Sequence, residues 1–245
     1  MAFDLKEDGL KLLTVVTPVF ATSIAVIYDV GFFFGLDIGF FTFFTFSEHL
    51  VFALQAIPFA LPAALGILGF IVTTWWGYHK VIRDGEEAGE KAKTMTQAER
   101  DAWVAKLQKQ IDRNKKIDPW VKLAFALSGI ASISVGAYTT GFLIFVSMLA
   151  TSLVYPTENL KSATVRASLL VLAVGGTWCS AFLVGYERSQ AILATKTPSE
   201  TITVDSKDIP AKLVRGGDRG VLFLSLENKK LNFLRWETIK KIEAL

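Results

Sequence analysis

The chain has 245 residues, 51% of them hydrophobic, and a net charge of +3. A soluble domain of this length carries a smaller apolar share and spreads its charges; here the charges are segregated, which excludes an ordinary soluble protein. One cysteine, Cys179, and two histidines exclude a disulfide framework and a zinc site, and no metal or cofactor is expected.

The first charge-free run, 12–28, predicts a membrane helix over about 10–30, because about 20 apolar residues cross a hydrocarbon core of roughly 30 Å. Lys11 and Asp29 mark its two interfaces. The flank Asp4, Lys6, Glu7, Asp8 lacks the basic bias of a signal peptide, so the helix is expected to be retained.

Next comes FFFGLDIGFFTFFTFSEHL, residues 32–50, with eight phenylalanines and no Lys or Arg. The expected reading is an outer-face cap packed against the helix bundle. A re-entrant or pore-lining element and a docking surface are the alternatives, because non-helical backbone at membrane depth needs cover by protein or water. Asp29, Asp37, Glu48 and His49 fall together on this face and form a candidate ion site. Each also has a plain role: Asp29 at the headgroup boundary, Asp37 in a turn between Gly35 and Gly39, Glu48 in a cap.

Thr45-Phe46-Ser47-Glu48 fits a capping box and opens a second expected span, 47–78, within the charge-free run 49–78. Pro58 and Pro62 predict a kink in it. Trp75, Trp76 and Trp120 are the expected interface anchors at the inner face. Residues 79–118 hold ten basic residues and read as helical, with a second capping box at Thr96 to Glu99 and Trp103, Leu107 and Ile111 on one face. Asp118-Pro119 predicts the start of a third span over 119–150. This span is rich in small residues, and Gly129, Ser132, Gly136, Thr140 and Gly141 form its expected helix-packing seam. The fourth span is expected over 163–187. No span has a charge near its centre, which argues against a pump built on buried carboxylates, and no catalytic motif is present.

From Thr201 the pattern turns to alternation. Ile202–Val204, Ala211–Arg215, Val221–Leu226, Leu231–Arg235 and Lys241–Ala244 read as strands, with a helical turn at Trp236–Ile239. This order resembles a small SH3-like or Sm-like barrel over 197–245. The fold class expected is thus an integral membrane α-helical protein with four transmembrane helices, domain 1–196, and a small all-β cytoplasmic C-terminal domain.

Eleven further basic residues lie in 187–245, against none in 35–48. The positive-inside rule then places both termini and 79–118 in the cytoplasm. The layout resembles bacterial inner-membrane proteins with four helices and a cytoplasmic small barrel. The expected function is a non-enzymatic scaffold or sensor, in contact with membrane lipids. It would self-associate as a homo-oligomer and meet a cytoplasmic protein partner through 79–118 and 197–245. The alternative is an ion-conducting pore, including one in a stress or phage-defence system. Nucleic acid is not an expected partner, because the basic excess is a topology signal.

Overall fold

The computed structural model describes residues 7–52, 54, 69, 76, 83–154, 163–205 and 207–245. They form two compact units, residues 1–64 with 177–245 and residues 65–176.

In the first unit, helix α1 (Glu7–Leu36) runs past Asp29, two turns beyond the expected end of the span. It continues because the Asp29 side chain is fully buried and charge-paired instead of standing in the headgroups. Leu36 leads into a 3-10 turn, Ile38–Phe43, whose N-cap Asp37 accepts a hydrogen bond from the Gly39 N–H. A second helical stretch begins at residue 46. The capping box forms as expected: the Thr45 N–H donates to Glu48 Oε2 at 2.5 Å and the Glu48 N–H faces Thr45 Oγ1 at 3.4 Å. Most of the expected span 47–78, with Pro58, Pro62 and Trp75, lies outside the described residues; Trp76 stands exposed.

Helix α1 packs on the last half of a long helix whose range is Ala163–Leu193. The chain makes contact at Ser23 with Trp178, at Phe34 with Phe182 and at Gly35 with Gln190. Contacts that advance together along both helices mean that the two run parallel. Their backbones touch. A Cβ at Gly31 would collide with the Phe182 carbonyl, and one at Gly185 with the Tyr28 carbonyl. Gly31 and Gly35 therefore form a small-xxx-small face opposite Ala181, Gly185 and Ser189.

The C-terminal sheet has strands β1 (Glu200–Val204), β2 (Lys207–Gly216), β3 (Gly220–Ser225), β4 (Lys230–Arg235) and β5 (Lys241–Ala244). All neighbours are antiparallel, in the order β4-β3-β2-β1-β5. The strands and the 3-10 turn at Trp236–Thr238 follow the expected order, but β2 starts at Lys207, four residues before the expected Ala211. The closed barrel is corrected to an open sheet. Closure needs the edges β4 and β5 to pair, but β5 is four residues long and pairs with β1. Leu231 and Phe233 of β4 pack instead on the phenylalanine core. Every residue of β3 is buried, with Phe223 facing Ile202 and Ala211 and Leu222 facing Phe33, Phe44 and Phe52.

In the second unit, residues 83–94 are helical, and the capping box at Thr96 starts helix α2 (Gln97–Ser134). The expected helix start at Pro119 is corrected: Pro119 lies inside α2, whose sequence has no glycine from Gln97 to Ser128 to stop it. The expected single span 119–150 is also corrected. It breaks at Gly136, whose φ of +83° is open to glycine, and folds back as helix α3 (Tyr138–Val154). The helix over Ala163–Leu193 is α4. Among the described residues two helices, not four, are long and apolar enough to cross a membrane: Pro18–Leu36 within α1, and α4.

Candidate functional site

Three segments distant in sequence bring charged side chains together inside the first unit: α1 supplies Asp29, the helix starting at 46 supplies His49, and β2 supplies Arg215. Asp29 is 0% and His49 4% exposed. His49 Nδ1 lies 2.5 Å from Asp29 Oδ2, and Nε2 lies 2.9 Å from the Phe41 carbonyl oxygen. A carbonyl only accepts, so Nε2 carries a hydrogen and donates it. Asp29 thus stands between His49 on one side and Arg215 on the other.

Arg215 Nη2 stands 3.5 Å from Asp29 Oδ1, too far for a strong hydrogen bond, and neither Asp29 Oδ1 nor Arg215 Nε has a hydrogen-bond partner. The pair is held by charge and by rings. The guanidinium lies 4.5 Å from the centre of Phe32 and 4.6 Å from that of Phe52. His49 stacks on Phe41 at 3.7 Å. Aromatic faces attract cations most where water is excluded. Burial pulls the guanidinium below its usual value and Asp29 beside it opposes the shift; an arginine stays charged in either case.

A β-bulge aims Arg215. Leu213 pairs with Phe223, but Arg215 pairs with Leu222, because the register shifts between them. Simple alternation would leave Arg215 on the Phe223 face; the extra residue turns it toward the helices.

Glu48 makes a second tie. Its Oε2 accepts from the Thr45 N–H and hydroxyl, and its Oε1 accepts from the Asp218 N–H in the turn between β2 and β3. Gly217 permits this, because a Cβ there would strike Glu48 and Phe44. The Trp236 indole donates to the Gly217 carbonyl from the other side at 2.7 Å.

Of the four residues expected as an ion site, the structure brings Asp29 and His49 into contact. It turns Glu48 toward the β-turn and leaves Asp37 apart, exposed and bonded to Gly39. Among the described residues no group of three His, Cys, Asp or Glu is placed to hold a metal ion. Sequence reading missed Arg215 and Gly217; the signal was an arginine standing directly before the turn Gly216-Gly217-Asp218. The expected packing seam divides. Gly129 sits against the Phe145 ring, where a Cβ would come within 2.9 Å, and a Cβ at Gly141 would come within 2.6 Å of Ile133. Both serve the contact between α2 and α3 of one chain. Gly136 is the turn, with open space at its Cβ, and Ser132 accepts the Ala137 N–H through its carbonyl. Thr140 and Trp120 stand exposed.

Compared with protein families, with characterised proteins and with solved structures, the chain matches none.

Proposed function

We propose that this protein is a non-enzymatic membrane scaffold or sensor, in which a folded β-sheet is clamped to the ends of membrane helices. The membrane part is supported by exposure: only 33% of the apolar window in α1 and 22% of that in α4 is buried in the protein. A helix in a soluble core would be mostly covered, whereas lipid covers such a face without protein.

The observation that carries the reading is the joining of Asp29, His49 and Arg215 from three segments. The cluster holds no nucleophile and is closed by phenylalanine rings, so its chemistry is that of a lock. A lock between sheet and helices couples anything that binds the sheet to the packing of α1 and α4. The small residues of α2 and α3 lie within one chain, so self-association would use other faces.

Hydrogen exchange on the protein in lipid nanodiscs tests this. Asp29→Asn is expected to speed exchange in β3 and in the last turns of α1 together. Faster exchange confined to α1 would sink the coupling. Steady single-channel currents from the purified protein would favour the pore reading instead.

A further inference from the structure

We infer that the β-sheet lies on the non-cytoplasmic side of the membrane, opposite the N-terminus. The inference rests on the proposal that α1 and α4 cross a bilayer. The sequence expectation puts the phenylalanine segment outside and the sheet in the cytoplasm. These two placements exclude each other, because Arg215 contacts Asp29, Asp218 bonds Glu48, and Leu222 belongs to one buried cluster with Phe33, Phe44 and Phe52. Sheet and aromatic segment occupy one side. Helices α1 and α4 run parallel and both end on that side, so the N-terminal end of α1 lies on the other.

Charge decides which side is which. The first membrane helix usually dominates orientation, and basic residues count only within about 15–20 residues of a span. Lys6 and Lys11 precede the crossing part of α1, and no Lys or Arg follows it before Lys80. The flanks of α4 are balanced, with Lys161 and Arg166 before and Arg188 and Lys196 after. The basic residues from Lys207 onward belong to a folded domain, and such domains cross membranes largely regardless of charge. They weigh heavily in a count over 187–245 and little in the physics. The N-terminus is therefore cytoplasmic, as the sequence reading has it, and the sheet is not.

Single cysteines test the placement. In a Cys179→Ala background, Lys229→Cys places a thiol on an exposed turn between β3 and β4, and Asp8→Cys places one before the crossing. Spheroplasts of a bacterial host expressing the full chain are treated with a membrane-impermeant maleimide, before and after permeabilisation. Lys229→Cys is expected to label as fully in intact spheroplasts as in permeabilised ones, and Asp8→Cys only after permeabilisation. Protection of Lys229→Cys until permeabilisation overturns the inference. Labelling of both in intact spheroplasts shows that α1 does not cross. Release of the chain from membranes by alkaline carbonate overturns the membrane reading itself, and the inference falls with it.

Discussion

At the level of single residues, the buried cluster sets large and unequal costs. Removing one partner of a buried ion pair leaves the other charge without compensation, at about 3–5 kcal/mol. Asp29→Ala is expected to lose stability in that range, because it leaves Arg215 buried without its carboxylate, measured by thermal unfolding in detergent. Asp29→Asn combined with Arg215→Met is expected to lose much less than the sum of the single changes, because the apolar stem keeps the contacts with Phe32 and Phe52. Additive losses would show that the two side chains are not coupled. Glu48→Gln, mild if Glu48 only caps a helix, is expected to weaken the docking of the sheet. Both carboxylate oxygens accept N–H groups, and an amide must turn its own NH₂ toward one of them. Faster exchange of the Asp218 amide is the readout. The sequence put Asp29 with His49, since polar groups beside an apolar run stand out, but it added Asp37 and Glu48, which the structure turns to Gly39 and to the Asp218 N–H. Arg215 was not legible, because a bulge has no signature in the alternation and reverses the face it points to.

At the level of elements, glycine position separates close packing from chance. Gly31→Ala forces a methyl against the Phe182 backbone and is expected to destabilise the pair α1 and α4. Gly175→Ala in the same α4 helix meets nothing within 4 Å and is expected to be neutral or stabilising by up to about 1 kcal/mol, as glycine in a helix interior is unfavourable. Equal effects of the two would remove the seam. The sequence placed its seam in 119–150 because small residues are dense there; the contact between α1 and α4 was hidden by ending α1 at Asp29, which left Gly31 and Gly35 in a loop. The cap of α2 was legible from four residues. Hydrogen bonds from the Thr96 N–H and hydroxyl hold the Glu99 carboxyl below its usual value. A lowered folded value means that the box supports the helix above the ordinary glutamate range and loses that support as pH falls through the folded value. Thr96→Ala is expected to return the Glu99 titration toward 4.5, followed by NMR, and an unchanged titration would show that the box is not formed.

At the level of the whole molecule, the number and order of the sheet's strands were legible, because a half-buried strand alternates, while the early start of β2 at Lys207 was not. Nor was the sheet's closure. Whether edges pair depends on what covers the faces, and the cover comes from phenylalanines far away in the chain. On the sheet's own face Ile202, Ala211 and Phe223 form a small buried cluster; the opposite face of β3 and β4 puts Leu222, Leu231 and Phe233 into the helical core. A segment as short as 197–245 has little core to spare. Cut from the chain, it would expose those three side chains and leave its edges free to pair with other copies. The isolated segment is therefore expected to be unfolded or to associate, read by circular dichroism and sedimentation. In the intact protein Leu222→Asp should mimic this loss, because the carboxylate would be buried in the phenylalanine core and would compete with Asp29 for Arg215, its cross-strand neighbour. Leu226→Asp, at a half-buried position just past β3, is the control and should cost less. A monomeric fragment 197–245 that melts cooperatively would show that the sheet stands alone and that its contact with the helices is docking between finished parts. An unfolded fragment, with Leu222→Asp loosening α1 as well as β3, would show that helices and sheet share one core.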